Sequence, residues 1–256
     1  MKIIDTHMHT IFRPSQFFED YRLKGVESII SVAFYPVTPK YSETLEDLFR
    51  WMIERETKRL QRVGISCFCG IGIHPRSIPQ NLNQKIYNVI EDSMETNVVA
   101  LGEIGLEKGT KEEIEVLEKQ LLIAKKKNDF PVILHTPGKN KREITKKLIE
   151  ILETINTTNG IIDHISLENI DLALNTNLYL GLTVQLGKLT IEKFRQIIDE
   201  YGDQTNRFIL NSDLGIDIAH KYIVPKIIQL MVKEGIDEQL IERISHINAE
   251  KLFQIS

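Results

Sequence analysis

Short apolar runs recur along the chain, and most are followed by a longer stretch in which apolar and polar residues have helical spacing. The runs span residues 3–7, 28–34, 67–73, 98–104, 131–135, 160–164, 178–184 and 208–213. Their length and their content of β-branched residues predict buried strands. The pattern therefore predicts eight strands separated by polar, amphipathic segments.

The segments between the runs carry apolar residues at the spacing of an α-helix. In residues 112–127, Ile114, Leu117 and Leu121 fall three or four positions apart, and Thr110 with Glu113 forms a capping box ahead of them. The same spacing predicts helices over residues 42–63, 82–96, 141–155, 191–201 and 225–233. Pro225 begins the last of these after a short stretch at 217–223, because proline fits the first turn of a helix but not its interior.

Strands that alternate with helices predict βαβ units and a parallel sheet. Eight such units in 256 residues match the size of a (β/α)8 TIM barrel, which we predict as a single domain over residues 1–256. A doubly wound open sheet is the alternative, but no Gly-x-Gly-x-x-Gly motif follows any predicted strand. Helical segments at 237–246 and 248–253 are expected to form a C-terminal cover.

Composition narrows the class of protein. The chain has 42% apolar residues and a net charge of −4, which excludes the strongly basic balance of a dedicated nucleic-acid-binding domain. No apolar run reaches about 18 residues, and the N-terminus lacks the layout of a signal peptide, so we expect neither a membrane span nor export. Cys67 and Cys69 are too close along one strand to pair without strain, which predicts free thiols and a cytoplasmic location. These features do not indicate an oligomeric state.

Histidines and carboxylates gather at the ends of the predicted strands. Because the C-terminal ends of barrel strands form one rim, side chains there are expected to converge. Asp163 precedes His164 on the sixth strand and is expected to point to the opposite face. His135 or His164 alone would better fit a hydrogen-bonded core histidine, so the metal prediction depends on the whole set. The residues predicted to hold metal are His7, His9, Glu103, His135, His164 and Asp213.

His7 and His9 are two positions apart, so in a strand both imidazoles project to the same side. Asp5 shares that side one layer deeper, where it is expected to accept a hydrogen bond from a ligating imidazole. Six nitrogen and oxygen ligands exceed the needs of one zinc ion and suit two divalent ions bridged by a carboxylate. Glu103, between glycines, is expected to be the bridge, and Asp213 to bind one ion and to orient or deprotonate the attacking water. Zn, Mn, Mg and Ni all suit these ligands.

Other polar residues follow the strand ends and are candidates for contact with a substrate. His74 and Arg76 come after the third strand, where they would contact an anion or a leaving group. Lys139 and Lys141, with the neighbouring Arg142, lie after the fifth strand next to a helix start, where they would hold a phosphate or a carboxylate. A solvated first helical turn explains the same charges equally well. Lys188, after the seventh strand, is a further candidate of this kind.

Several short motifs resemble those of one known family. They are Asp5-Thr6-His7-Met8-His9, Gly72-Ile73-His74-Pro75, Gly102-Glu103-Ile104-Gly105-Leu106 and Asn248-Ala249-Glu250-Lys251-Leu252-Phe253, together with His135, His164 and Asp213. In order and spacing, the chain resembles the TatD-like branch of the amidohydrolase superfamily over nearly its whole length. The resemblance implies a TIM barrel with a mono- or dinuclear metal centre that catalyses hydrolysis. By position it implies two ligand sets that share Glu103, completed by His7, His9 and Asp213 for one metal and by His135 and His164 for the other.

The chain departs from the pattern of TatD nucleases at several positions. Gly105-Leu106-Glu107-Lys108 stands where they have Gly-Leu-Asp-Tyr, and Pro137 stands where they have arginine. These departures place the sequence closer to TatD-related hydrolases found mostly in archaea. We therefore expect a metal-dependent hydrolase that uses a metal-activated water on a phosphoester, either a small molecule or one derived from nucleic acid. Hydrolysis of a small amide or lactone is one alternative, and a catalytically silent metal-binding barrel is another.

Overall fold

The computed structural model describes residues 1–216 and 220–255, and within them the predicted strands are all present. They are β1 Ile3–Met8, β2 Val26–Val32, β3 Ser66–Ile71, β4 Val98–Gly105, β5 Val132–His135, β6 Gly160–Ile162, β7 Tyr179–Thr183 and β8 Phe208–Asn211. The stretch predicted at 217–223 falls partly outside the described residues, because 217–219 are not among them. The predicted number and placement of strands are confirmed.

The strands form one parallel sheet in the order β1 to β8, each paired with the next strand along the chain. The sheet closes on itself where the end of β8 meets the end of β1. There the N–H of Asp213 donates to His7 O and the N–H of His9 donates to Leu214 O, both at 2.8 Å. The fold is the predicted TIM barrel, and its closing hydrogen bonds join the chain segments that carry three predicted metal ligands.

Helices cover the outside of the barrel. They are α1 Ser15–Leu23, α2 Glu43–Trp51, α3 Thr57–Gln61, α4 Lys85–Ser93, α5 Lys111–Lys126, α6 Lys141–Ile155, α7 Ile170–Leu174, α8 Ile191–Tyr201, α9 Ile223–Lys233, α10 Glu238–Glu242 and α11 Asn248–Phe253. Thr110 caps α5 as predicted, its Oγ1 accepting from the N–H of Glu113 at 3.3 Å. A π-helical segment, Met52–Glu56, joins α2 to α3, so the predicted helix over 42–63 is continuous apart from its ends. Helices α1 and α7 were not predicted from the sequence pattern.

The C-terminal helix α11 closes the end of the barrel at which the strands begin. Asn248 donates from Nδ2 to the carbonyl oxygens of Thr205 and Phe208, both at 2.8 Å, at the start of β8. Lys2, just before β1, forms an ion pair with Glu250 at 2.6 Å. Apolar side chains of α11 pack into the same cluster as the inward-facing strand residues. The predicted C-terminal cover is therefore confirmed, and the opposite end of the barrel is left for a site.

The two cysteines lie in β3, buried and unpaired. Burial raises the pKa of the Cys69 thiol to about 12, so that this thiol stays protonated at neutral pH. Across residues 1–216 and 220–255, no helix has both the length and the apolar character needed to cross a membrane.

Candidate metal centre

Glu103 lies at the centre of the predicted ligands, near the end of β4, with only 2% of its side chain exposed. Its Oε1 is 2.7 Å from His135 Nδ1 and 2.9 Å from His164 Nε2. Its Oε2 is 3.2 Å from His7 Nε2, 3.5 Å from His74 Nε2 and 4.0 Å from His9 Nε2. Burial opposes ionisation, but His7 and His135 outweigh it and hold the pKa of Glu103 well below its usual range.

Asp213 lies on the other side of His7 and His9, just after β8. Its Oδ1 is 3.1 Å from His9 Nε2 and 3.5 Å from His7 Nε2. Burial opposes its ionisation too, but the neighbouring Lys188 and His7 keep the pKa of Asp213 well below its usual range. His7, despite its burial, has a pKa raised well above the ordinary value by Glu103 and Asp213.

Side chains of these residues form overlapping groups whose ligand atoms lie within 4.8 Å of one another. The groups are His7 with His9 and Asp213, His7 with Glu103 and His164, and His74 with Glu103 and His135. His7 Nε2 is buried and has no hydrogen-bond partner among the residues that the structure describes, which is what an imidazole nitrogen directed at a cation would show. The donors are imidazole nitrogens and carboxylate oxygens, which suit divalent ions such as Zn²⁺ and Mn²⁺. The residues present therefore fit a metal centre.

Asp163 supports His7 from behind, which the sequence analysis assigned to Asp5. Asp163 Oδ2 accepts a hydrogen bond from His7 Nδ1 at 2.7 Å, and its Oδ1 accepts from Asn211 Nδ2 at 2.7 Å. The prediction that Asp163 points away from the site is wrong. The backbone of His164 has a φ of +60°, which breaks the alternation of a strand, so that Asp163 and His164 both reach the site.

Asp5 instead holds the backbone where β8 ends. Its carboxylate accepts hydrogen bonds from Tyr21 Oη at 2.8 Å, from the N–H of Ser212 at 3.1 Å and from the N–H of His7 at 3.4 Å. The pairing of β1 with β2 shifts register between Asp5 and Met8, which separates Asp5 from the face that carries His7. The predicted contact between Asp5 and an imidazole is therefore wrong.

His74 is almost completely buried and points its Nε2 towards Glu103. Its Nδ1 accepts a hydrogen bond from the N–H of Arg76 at 3.0 Å, so the proton of the neutral ring is on Nε2. Burial is the main reason that the pKa of His74 is well below its ordinary value. His74 thus presents an N–H donor to the centre rather than a free lone pair.

Glu107, Arg76 and Phe34 complete this side of the centre. Glu107 Oε2 is 2.7 Å from His135 Nε2 and 4.0 Å from Arg76 Nε. The guanidinium of Arg76 lies 4.9 Å from the centre of the Phe34 ring, which in turn contacts His74. Glu107 and Phe34 were not predicted as site residues, although Glu107 continues the glutamate motif and Phe34 ends a predicted strand.

A cavity of about 760 Å³ opens beside His135 and His164. The predicted substrate residues Lys139 and Lys141 both line it, but they differ in their contacts. Lys139 is exposed, whereas Lys141 is buried and donates to His164 O at 2.6 Å. Burial lowers the pKa of Lys141 to about 8. The cationic side chains on the wall are Arg76, Lys108, Lys139, Lys141, Lys188 and Lys193, and the acidic ones are Glu107 and Glu168.

Arg142 was grouped with these lysines in the sequence analysis, but it does not line the cavity. Both of its terminal nitrogens donate to the carboxylate of Asp171 at 2.7 Å, on the exposed side of α6. The predicted role of Arg142 in binding an anion is therefore wrong, because a bidentate pair with a carboxylate occupies its donors.

Comparison with known proteins bears on the kind of protein that carries this centre. A family model for TatD-related DNases matches residues 4–254. An uncharacterized metal-dependent hydrolase of Methanocaldococcus jannaschii is 36% identical, over 99% of this chain and 100% of its own length. A TatD-like protein of Archaeoglobus fulgidus has a TM-score of 0.83 at 35% identity, over 98% of this chain and 100% of that one. A TatD homologue of Escherichia coli K12 has the same fold, with a TM-score of 0.73 at 20% identity over 99% and 98% of the two chains. The resemblance found in the motifs is confirmed, and the chain belongs to the TatD-related DNase family of metal-dependent hydrolases.

Proposed function

We propose that the protein hydrolyses a phosphoester at a divalent metal centre built around Glu103. The observation that carries this proposal is the cavity beside His135 and His164, where the Lys and Arg side chains of the wall outnumber the Asp and Glu side chains by six to two. Although the whole chain has a net charge of −4, lysine and arginine side chains are concentrated around this cavity. Concentrated positive charge in a concave site favours binding of an anionic substrate. A neutral amide or lactone has no need of it.

The ligand residues are proposed to divide into two sets that share Glu103. His7, His9 and Asp213 would hold one ion, and His135 and His164 would hold the other, with Zn, Mn, Mg or Ni as the candidate metals. When bound, such ions neutralise charge on a phosphoryl group and lower the pKa of water. Burial and Lys188 lower the pKa of His164 to about 3, so this imidazole stays neutral and able to bind a cation at physiological pH.

The chain's own groups would supply the proton transfer and the orientation. Asp213 stays ionised and is proposed to accept a proton from the attacking water at a carboxylate oxygen. His74 is proposed to donate from Nε2 to an oxygen in the centre, since its other nitrogen is used by the Arg76 N–H. Arg76 and Lys139, both exposed, are proposed to contact the substrate anion, whereas Lys141 positions His164 through its carbonyl.

The test compares substrate classes on one metal-loaded preparation. Bis(4-nitrophenyl) phosphate and a single-stranded oligonucleotide represent phosphoesters, and an uncharged lactone and a small amide represent the alternatives. We expect turnover of a phosphoester that a chelator abolishes and that Glu103→Gln lowers strongly. Turnover of the lactone or the amide without any phosphoester cleavage would contradict the proposal. Glu118→Gln is a matched control, because Glu118 lies in α5, outside the centre and the cavity lining.

The oligonucleotide and the small phosphodiester also separate two kinds of substrate. The cavity of about 760 Å³ is large enough for a nucleotide-sized group. We propose that the substrate is a small or single-stranded phosphoester that reaches the centre through this cavity. Cytoplasmic location stays a prediction of the sequence.

A further inference from the structure

The loop that follows β7 is a closed turn. The N–H of Lys188 donates to Gln185 O at 3.0 Å, and the N–H of Gln185 donates to Leu189 O at 3.2 Å. The N–H of Leu189 then donates to Thr183 O at 3.2 Å, and Gly187 supplies a φ of +81°. These hydrogen bonds fix the backbone of Lys188 at the end of the strand.

The side chain of Lys188 extends between the two proposed ligand sets. Its ammonium contacts the carboxylate of Asp213 and lies 3.0 Å from both ring nitrogens of His164. The side chain is 27% exposed and forms part of the cavity wall. One cation therefore stands where the cavity meets residues of both sets.

We propose that Lys188 is a catalytic residue whose ammonium binds a non-bridging oxygen of the scissile phosphoryl group. This inference rests on the phosphoester hydrolysis proposed above. Phosphoryl transfer spreads negative charge over the non-bridging oxygens, and a fixed cation beside them stabilises the transition state. Without substrate, the ammonium is held by Asp213, so substrate binding exchanges one anionic partner for another.

The position of Lys188 distinguishes it from the other lysines of the cavity. Lys141 is directed at the carbonyl of His164, and Lys139 is exposed in the loop before α6. Among the described residues, no other lysine forms an ion pair with Asp213. The closed turn also reduces the conformational freedom that the loop must lose when it contacts a substrate.

Turnover by the metal-loaded enzyme is the first measurement. With bis(4-nitrophenyl) phosphate as substrate, Lys188→Ala should lower kcat by about 10²–10³-fold, the loss typical of removing one donor to an oxyanion. Lys188→Arg should recover part of that loss. Lys146→Ala, on the exposed side of α6 and away from the cavity, should match the wild type.

Metal affinity, measured by competition with a chelator, is the second measurement. The ammonium of Lys188 repels a cation that approaches Asp213 and His164, so Lys188→Ala should bind Zn²⁺ more tightly than the wild type. A lysine that only holds Asp213 in place would give the opposite result, because a released carboxylate binds metal more weakly. Weaker Zn²⁺ binding by Lys188→Ala would therefore overturn the proposal.

A series of phosphodiesters that differ only in the leaving group identifies the oxygen concerned. We expect the same loss in Lys188→Ala for 4-nitrophenyl and for alkyl esters. A loss confined to the alkyl esters would overturn the assignment, because it would make Lys188 the proton donor to the leaving group. Unchanged kcat in Lys188→Ala, with an active wild type, would overturn this inference alone. Absence of phosphoester turnover by the wild-type holoenzyme would overturn the proposed function and this inference together.

Discussion

Replacing Asp163 by asparagine should weaken metal binding while leaving the barrel folded. Both carboxylate oxygens of Asp163 accept a hydrogen bond, one from His7 Nδ1 and one from Asn211 Nδ2, each at 2.7 Å. Asparagine has one oxygen and one NH2 group, so it can satisfy only one of these donors. If the asparagine oxygen accepts from Asn211, its NH2 group faces the N–H of His7 Nδ1, and two donors then face each other. The His7 ring can avoid this clash only by moving its proton from Nδ1 to Nε2. That tautomer has no lone pair on the nitrogen directed at Glu103.

The magnitude follows from the two costs that the substitution imposes. A buried donor left without an acceptor costs about 1–3 kcal/mol. Loss of a carboxylate that orients a ligating histidine typically lowers metal affinity about 10–100-fold, equivalent to about 1.4–2.7 kcal/mol. The two ranges agree, because both count the same His7–Asp163 hydrogen bond. Gly181 packs so closely on Asp163 that an added Cβ would overlap Oδ1, so the asparagine side chain cannot relax in that direction.

The assay is the dissociation constant for Zn²⁺, measured by chelator competition on metal-stripped wild type and Asp163→Asn. Asp171→Asn is the matched control, because Asp171 is exposed and forms its ion pair with Arg142, outside the centre and the cavity lining. Circular dichroism melts of the metal-free proteins check that each variant folds. Equal Zn²⁺ affinity in Asp163→Asn and wild type would refute the proposed orientation of His7 by Asp163.

Other predictions concern the same site. Asp213→Asn should lower turnover by about 10²–10⁴-fold, the usual contribution of a general base, while inductively coupled plasma analysis finds most of the metal retained; near wild-type kcat would show that Asp213 is not the base. Lys139→Gln should raise KM for an anionic phosphodiester and leave KM for an uncharged ester unchanged, and equal changes on both would point to a disturbed loop. Metal affinity should go on rising with pH above 6.5, the ordinary pKa of histidine, by up to about tenfold per unit for each proton displaced. Despite its burial, His7 has a pKa that Glu103 and Asp213 raise well above that value, so a metal ion must displace the second ring proton, and this competition weakens as the pH rises. Dissociation constants at several pH values would contradict this if they did not change.

The sequence predicted the parts of the site that depend on strand order. His7, Glu103 and His135 could be identified because each lies at or near the end of a run of buried residues, and the strand ends of a barrel meet at one rim. The sequence could not predict that Asp163, rather than Asp5, accepts the hydrogen bond from His7. It depends on a register shift in β1 and on a positive φ at His164, and neither leaves a mark in the pattern of apolar and polar residues. The rule that successive side chains point to opposite faces of a strand no longer holds where these strands end.

The contacts that long, flexible side chains make with residues distant in sequence could not be predicted either. Arg142 and Lys141 are neighbours at the start of α6, yet one pairs with Asp171 on the surface and the other is buried under His164. The direction of each side chain is set by a partner about 20–30 positions away in sequence. Helix α1 was not predicted, because its nine residues carry only a short apolar stripe, formed by Phe17, Phe18 and Tyr21 on the buried face.

Anomalous diffraction from crystals of the Zn²⁺-loaded protein tests most directly whether divalent metal binds around Glu103 at the rim of the barrel. The predicted result is anomalous density on both sides of the Glu103 carboxylate, one peak beside His7, His9 and Asp213 and the other beside His135 and His164. Glu103→Gln crystals prepared in the same way should lose density at both positions. Zinc bound in full in solution, but with its density away from Glu103, would contradict the account.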